Sequence, residues 1–173
     1  VSNNIGYVGY APDSEGYVTV SGAGSTWTST VNLEVGRQGA GTLRILDGGE
    51  LATFNNQIGG TVFNQPGIGS GEVLVSGPGS KLTSEFNTNV GYVGTGTQTI
   101  ENGGLVTDAN GFIATFGSTG TVTVTGAGST WTNTDSMKPM VASFANGDFV
   151  TVWQAWSQPG GPAWDIMVRL YDA

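Results

Sequence analysis

The sequence contains neither cysteine nor histidine among its 173 residues. Histidine is the commonest general base and metal ligand in proteins, and cysteine is a frequent nucleophile and zinc ligand. Their absence excludes Ser-His-Asp and Cys-His catalysis and the usual zinc sites. A chain without cysteine is compatible with the cytosol, and also with bacterial surface proteins that avoid thiols.

Positive charge is scarce as well. The chain has five Lys and Arg residues against 13 Asp and Glu residues, which gives a formal net charge of −8. Nucleic acids and anionic membrane surfaces are bound by clustered basic side chains, so neither is an expected partner. No apolar run approaches the roughly 20 residues of a transmembrane helix, so we expect no membrane insertion.

Glycine is abundant, and Thr, Ser and Asn accompany it. The chain has 30 glycines, yet 38% of its residues are hydrophobic. The apolar residues fall in short alternating runs such as Val18-Thr19-Val20. Such alternation is typical of a β-strand with one buried face. The composition therefore predicts an all-β protein rather than a disordered chain.

Two motifs recur along the first part of the chain. One occurs three times, at 16–28 (GYVTVSGAGSTWT), 71–83 (GEVLVSGPGSKLT) and 120–132 (GTVTVTGAGSTWT). The other occurs twice, at 33–51 (LEVGRQGAGTLRILDGGEL) and 90–106 (VGYVGTGTQTIENGGLV). Both contain a Gly-rich bend and an apolar-x-apolar strand. Self-similarity at a short period indicates a repeat architecture.

The spacing of the repeated strand predicts a parallel β-helix, or β-solenoid, of about five coils. The second apolar residue of the strand recurs roughly every 25 residues, at Val20, Ile45, Val75, Ile100 and Val124. Stacked coils would place these side chains in one internal column and bury apolar area along the axis. A β-sandwich is the alternative, because it also has many short strands and Gly-rich turns. The near-constant period favours the solenoid.

The repeat pattern ends near Asp135. We expect residues 1–134 to form the solenoid and residues 135–173 to form a small antiparallel β module at the C-terminal end. Asn146-Gly147 predicts a two-residue hairpin within that module, and the residues at 159–162 (PGGP) predict a loop. The candidate strands of the module are 140–144, 148–154 and 165–171.

The ends of a solenoid are apolar and unpaired, which favours association. One interpretation is that residues 135–173 cover the last coil. The alternative is that the end of one molecule accepts the end of the next, because no matching module precedes the residues at 5–9 (IGYVG). Head-to-tail contacts that do not close produce filaments. The expected partner is therefore another copy of the chain.

The motifs resemble a known repeat. Residues 18–51 read V-x-V-x-G-x-G-S-x-W followed by L-x-V-G-x-x-G-x-G-x-L-x-I-x-x-G-G. This pattern resembles the repeat shared by bacterial autotransporter passengers and PEP-CTERM-associated surface proteins. Over residues 1–134, the resemblance implies a parallel β-helix displayed outside a bacterial cell, with no defined catalytic residue. Leu82 replaces the expected Trp, and Gln98 occupies an apolar position, so we expect those coils to pack less well.

The C-terminal segment carries a second resemblance. It reads P-x-V-A-x-x-x-x-G-x-F-V-x-V-W-Q, then a Gly-rich loop, then R-x-Y-D-A. This is similar to a repeat of large secreted, calcium-binding RTX-type proteins of bacteria. Both resemblances imply an extracellular or bacterial cell-surface location.

Paired carboxylates are candidates for glycosidase or lyase chemistry, which parallel β-helices also host. The pairs are Asp13 with Glu15 and Asp47 with Glu50. Both pairs lie in Gly-rich turns, where acidic side chains are usually solvated, so we expect no enzyme. Asp13 and Glu15 are also the candidate ligands for Ca²⁺, because oxygen-rich loops bind that ion. No other cofactor is expected.

Tryptophan supplies the candidate binding residues. Trp27 and Trp131 occupy equivalent repeat positions, where outward rings would stack on sugars and inward rings would pack on the solenoid. Trp153, Trp156 and Trp164 cluster in the C-terminal segment, where an exposed patch would suit a binding surface or a subunit interface. The candidate ligands are glycans.

The leading hypothesis is an extracellular structural or adhesive solenoid, such as a fibre subunit, an adhesin segment or a component of a biofilm matrix. The alternative is a carbohydrate-binding module or a polysaccharide-active enzyme on a β-helix scaffold.

Overall fold

The computed structural model describes residues 1–60, 69–115 and 118–134, together with the backbone of three further strands, Met140–Ser143, Phe149–Ala155 and Asp165–Tyr171. Within these residues, all the regular secondary structure is β-strand. They contain no helix that is long and apolar enough to cross a membrane. The predicted all-β class is therefore confirmed.

Successive strands alternate between two sheets, so that each strand from β1 to β7 pairs with the one two places further along the chain, while β8 pairs with β11 and β9 with β12 because the short strand β10 intervenes. Sheet 2 has the order β2-β4-β6-β8-β11, and sheet 1 has the order β1-β3-β5-β7-β9-β12, with β10 paired to β7. All these pairs are parallel. The chain therefore winds as a β-solenoid of about five turns, as predicted. The strands are β1 Ser2–Val8, β2 Glu15–Ser21, β3 Thr26–Val35, β4 Ala40–Leu46, β5 Glu50–Ile58, β6 Ser70–Ser76, β7 Lys81–Val90, β8 Thr95–Glu101, β9 Leu105–Asp108, β10 Asn110–Ile113, β11 Thr119–Thr125, β12 Thr130–Asn133, β13 Met140–Ser143, β14 Phe149–Ala155 and β15 Asp165–Tyr171.

The register of sheet 2 confirms the predicted internal column. The aligned side chains are, in order along the axis, Val20, Ile45, Val75, Ile100 and Val124. The three central ones are fully buried, and the two at the ends pack against the same core. The alternation of apolar and polar residues therefore directs one face of every strand inward, and stacking makes the buried surface continuous.

A second apolar column runs through sheet 1. It begins with Trp27, continues through Leu51, Leu82 and Val106, and ends with Trp131. Leu82 is fully buried in this column. The replacement of Trp by Leu at this position therefore leaves the site covered.

Glycine lines a seam at the start of the sheet 2 strands. Gly41 aligns with Gly71, and both lie against the backbone of sheet 1. A Cβ on Gly71 would collide with the carbonyl oxygen of Val35, and one on Gly41 with the carbonyl oxygen of Val8. The two sheets approach so closely here that no side chain fits.

The two sequence motifs interlock through their turns. In the D-G-G turn, Asp47 and Gly48 both have positive φ, at 53° and 83°, as a tight primed turn requires. The N–H of Gly48 donates to the hydroxyl of Ser80, which belongs to the G-x-G-S turn of the next coil, over 3.1 Å. The same contact recurs one coil pair later, from Gly103 to Ser129 over 3.0 Å. We call this contact the serine clasp.

Sheet 1 is bent by an irregularity in its register. The alignment of β5 with its neighbours shifts between Thr53 and Asn55, so that Phe54 lies at an outer corner. The hydroxyl of Thr53 donates to the carbonyl of Asn55 over 2.9 Å. Ser84 occupies the equivalent place in β7 and donates to the carbonyl of Asn87 over 2.7 Å. These buried hydroxyls satisfy the backbone groups that the bulge removes from the ladder.

Polar side chains interrupt the core at a few points. Gln98 stands in a sheet 2 column with Leu43 and Val73 and is fully buried, and neither amide atom has a hydrogen-bond partner among the described residues. Asn56 and Thr88, aligned in sheet 1, are likewise buried, and the same part of the chain offers their side chains no partner. Buried amides without hydrogen bonds destabilise a core, in agreement with the expectation that the Gln98 coil packs less well.

Beyond the last coil, sheet 1 continues with antiparallel strands. β13 pairs with β12, β14 with β13, and β15 with β14, all antiparallel. The three strands lie within two residues of the bounds expected from the sequence. Asn146-Gly147 and the 159–162 loop lie outside the described residues. The division of the chain at residue 134 stays a prediction.

Candidate binding face

Trp27 and Trp131 are core residues. Their exposed fractions are 9% and 5%. The indole N–H of Trp27 donates to Asn3 Oδ1 over 2.9 Å, and that of Trp131 donates to Asp108 Oδ2 over 2.8 Å. The structure therefore matches the packing interpretation of these residues. Stacking on sugars would require both indoles to leave the core and to break these hydrogen bonds.

The other three tryptophans predicted to bind lie where little is described. Trp153 belongs to β14, of which the backbone alone is described, and it pairs with Met167 of β15. Trp156 and Trp164 lie outside the described residues. A binding patch formed by the three stays a prediction.

The predicted calcium ligands lie on one turn. Asp13 has positive φ, at 60°, and Glu15 begins β2. Both side chains border a shallow cavity of about 480 Å³. Among the described residues, no group of three or more His, Cys, Asp or Glu side chains comes together in a way that would hold a metal ion. A Ca²⁺ site at Asp13 and Glu15 stays a prediction.

The second acidic pair is built into the coil structure. Asp47 forms the D-G-G turn and accepts a hydrogen bond from the hydroxyl of Ser21 over 3.2 Å. Glu50 begins β5 and aligns with Lys81 of the next coil. Asp47 thus takes part in a turn, and Glu50 takes part in strand pairing.

An aromatic and amide surface stands out on sheet 1. Phe54 and Phe86 stack at the outer corner made by the bulge, with ring centroids 5.6 Å apart and planes inclined by 14°. Phe112, in β10, stands on the same side of the solenoid. The exposed fractions of the three side chains lie between 40% and 47%. Large apolar rings are thus presented to solvent on three successive coils.

Carboxamides line the floor between these rings. One column aligns Asn55 with Asn87, and the adjacent outward column aligns Gln57 with Asn89. Asn55 also donates from Nδ2 to Oδ1 of Asn32 on the preceding coil over 3.2 Å. Rings and amides together enclose an open cleft of about 380 Å³. We call it the aromatic–amide cleft.

The cleft is electrically neutral. Among the residues that the structure describes, its remaining lining consists of Tyr92 and Thr115, so none of the described Asp, Glu, Lys or Arg residues contributes to its wall. Burial raises the pKa of the Tyr92 phenol above its usual value of 10.0. The hydroxyl therefore stays protonated at physiological pH and adds a neutral donor.

The first two coils carry a charged cluster on sheet 1 instead. The Arg37 guanidinium lies over the rings of Tyr7 and Tyr10, at 5.4 and 4.9 Å from their centroids. Its Nε is 3.6 Å from Oε2 of Glu34. The charges and rings of this cluster are thus engaged with one another.

The cleft residues were not among the sequence candidates, although a signal for them exists. The pattern x-Asn-x-x-aliphatic marks four segments of sheet 1, at 31–35 (VNLEV), 54–58 (FNNQI), 86–90 (FNTNV) and 109–113 (ANGFI), and it occurs once more in the N-G-G turn at 101–105 (ENGGL). Each of the four sheet 1 copies begins at the corner of that sheet. This third repeat would have placed Phe54, Phe86 and the asparagines that follow them at equivalent positions.

Comparison with known proteins identifies two relatives of segments of the chain. An adhesin, BmaC autotransporter, of Brucella suis biovar 1 (strain 1330) is 34% identical over 129 residues, which are 69% of this chain and 4% of that protein. An uncharacterized lipoprotein, YdeK, of Escherichia coli (strain K12) is 34% identical over 110 residues, which are 61% of this chain and 8% of that protein. No family model matches the chain, and no solved structure matches it.

The chain therefore spans a small fraction of the length of either relative. The adhesin agrees with the autotransporter part of the resemblance seen in the sequence. The PEP-CTERM-associated and RTX-type resemblances stay predictions.

Proposed function

We propose that this chain is a rigid, non-catalytic β-solenoid segment of an adhesive protein on the surface of a bacterium. The observation that carries the proposal is the unbroken parallel register of sheet 2, in which one aliphatic column joins all five strands. Stacked coils that share a core and a hydrogen-bonded ladder form a stiff rod, which holds a binding surface away from the cell.

The relatives support the adhesive role and the location. One carries the name of an autotransporter adhesin and the other that of a lipoprotein, and both names point to the cell surface or envelope.

The proposal that the segment is not an enzyme is supported by the acidic residues. The Asp47 carboxylate is engaged in a turn by Ser21, and Glu50 is aligned with a lysine. A glycosidase needs two carboxyl groups facing each other across a cleft. Incubation with a panel of polysaccharides should release no reducing ends, and sustained release of them would refute this part of the proposal.

Surface display tests the adhesive role. The chain would be fused to an autotransporter carrier that lacks its own passenger, and attachment of the cells to epithelial and abiotic surfaces would be counted. We expect more attachment than with the carrier alone. A folded, fully displayed chain that adds no attachment would contradict the proposal. Protease resistance of the displayed chain provides the control for folding.

We further propose that copies associate end to end through their terminal coils. Within the described residues, β2 and β11 are the two edges of sheet 2, and Val18 and Val122 on them are only partly buried. The first coil also borders an open cavity of about 740 Å³ whose walls include Val18 and Trp27. Unpaired parallel edges with apolar side chains accept a further strand.

Sedimentation velocity over a range of concentrations tests this association. We expect the average mass to rise with concentration and electron micrographs to show linear particles. A protein that stays monomeric at every concentration would refute the association and leave the adhesive role untouched.

A further inference from the structure

We propose that the aromatic–amide cleft binds a neutral glycan. The inference rests on the proposed adhesive function, since it names the class of molecule to which the segment would adhere. It starts from the cleft between Phe54, Phe86 and Phe112, whose volume of about 380 Å³ lies within the usual range for small-ligand sites.

The chemistry of the cleft matches that of a sugar. A pyranose has apolar C–H faces and a rim of hydroxyl groups that both donate and accept hydrogen bonds. Exposed phenylalanine rings cover apolar faces, and the partly exposed carboxamides of Gln57 and Asn87 donate and accept at the same time. Neither a purely apolar partner nor a charged one would use the two kinds of group together.

Charge narrows the ligand class to neutral sugars. The lining includes no Asp, Glu, Lys or Arg, and the Tyr92 hydroxyl stays protonated. A carboxylated or sulfated glycan would find no cationic partner there, and the net charge of −8 would repel it. The Arg37 guanidinium, on the first coils of the same sheet, already contacts Glu34 and the rings of two tyrosines.

The repeat predicts the orientation of the ligand. The amides and rings recur on successive coils, which are spaced about 4.8 Å apart along the axis. An oligosaccharide lying along the axis would therefore meet Phe54 with Asn55 on one coil, Phe86 with Asn87 on the next, and Phe112 on the third. A chain of several sugars should accordingly bind better than a monosaccharide.

A structural role for the rings alone is the competing explanation. Stacking of Phe54 on Phe86 stabilises the corner, as cross-strand aromatic pairs do in other sheets. That role does not account for the neutral amide side chains that line the cleft beside the rings. The experiment must therefore separate binding from stability.

Isothermal titration calorimetry with neutral hexasaccharides of glucose, mannose, galactose and xylose provides the test, with hexagalacturonate as the acidic comparison. We expect at least one neutral hexasaccharide to bind and hexagalacturonate to fail. Phe86→Ala and Gln57→Ala should each weaken binding about tenfold, the effect of losing one ring or one hydrogen-bonded amide. Tyr17→Ala is the matched control, because Tyr17 is an aromatic residue, 72% exposed, on sheet 2 away from the cleft.

Thermal unfolding of the same variants completes the test. Gln57→Ala should keep the melting temperature of the parent while losing affinity, which a purely structural role would not produce. Failure of every neutral hexasaccharide to bind, or binding that Phe86→Ala and Gln57→Ala leave unchanged, would overturn the proposal. Preference for hexagalacturonate, or capture of a protein from host-cell surfaces with no glycan bound, would also overturn it. Retained attachment of displaying cells in any of these cases would leave the adhesive function standing.

Discussion

The two sheets of the solenoid are built from the same number of coils but by different rules. Sheet 2 has unbroken register, one aliphatic column at its centre and a glycine seam along its edge. Sheet 1 shifts its register at Phe54, carries tryptophan at both ends of its apolar column and turns phenylalanines and asparagines outward.

The difference indicates that sheet 2 mainly stabilises the solenoid, whereas sheet 1 carries the surface that would bind a ligand. Strands that stack at one constant spacing pack best when every coil contributes a side chain of similar volume. The central column of sheet 2 accordingly contains only Val and Ile. A bulge re-aims the side chains beside it and breaks that uniformity. Sheet 1 accordingly carries the cleft, while sheet 2 supplies the rod on which the cleft is held.

The largest effect should come from the glycine seam of sheet 2. Gly71→Val should abolish cooperative unfolding, because any Cβ there collides with the carbonyl of Val35 and neither backbone can move without breaking the ladder. The expected loss exceeds about 4 kcal/mol, the range of backbone and packing failures. Urea unfolding followed by circular dichroism measures it. Glu72→Ala, on the exposed face next to Gly71, should change stability little, and equal losses for both would contradict the seam.

The aliphatic column comes next. Ile45→Ala removes a fully buried side chain from the middle of the column and should cost about 2–5 kcal/mol, as other core truncations do. The comparison variant is Arg44→Ala, whose side chain is exposed on the opposite face of β4. A shift in urea midpoint for Arg44→Ala as large as that for Ile45→Ala would show that this face of sheet 2 is not the core.

The serine clasp gives a smaller, local effect. Ser80→Ala should lower stability by about 2 kcal/mol, because the Gly48 N–H loses its acceptor in a part-buried site. Ser21→Ala removes a hydroxyl that bonds the exposed side of the same turn, at Asp47, and should cost less than about 0.5 kcal/mol. Hydrogen exchange at Gly48 reports the clasp directly, and unchanged protection in Ser80→Ala would exclude it.

The smallest effect should be a gain. Gln98→Leu places in the fourth coil the residue that Leu43 supplies two coils earlier, with similar volume and no unpaired amide. We expect about 1 kcal/mol of stabilisation in thermal unfolding. Thr99→Ala, on the outward face of the same strand, should bring no gain. A destabilised Gln98→Leu protein would mean that the buried amide is held by the fold.

The sequence was sufficient to predict the aliphatic column of sheet 2, from Val20 to Val124. Alternating apolar residues at a near-constant spacing allow one register only, because a slip of one residue would turn Ile45 and Ile100 outward. The C-terminal strands were predicted for the same reason, since their alternation is equally clear. These are the parts of the molecule in which local pattern and global packing agree.

The cleft was not predicted, and the reason is geometric. Phe54 and Phe86 are far apart in the sequence and meet at the corner that the bulge makes in sheet 1, and Phe112 joins them from β10, where it aligns with Asn89. Tryptophan was an unreliable guide, since Trp27 and Trp131 end in the core with their N–H groups satisfied. Periodicity predicts which residues face inward, but not which outward residues share a concave surface.

The serine clasp constrains how such a protein can lengthen during evolution. The G-x-G-S turns of Ser80 and Ser129 each rest on a D-G-G or N-G-G turn of the coil before them, so the two turn types alternate. Duplicating one coil would bring two like turns into contact and leave a glycine N–H without its hydroxyl acceptor. Gene duplication should therefore add coils in pairs, and homologous stalks of different lengths should differ by an even number of turns.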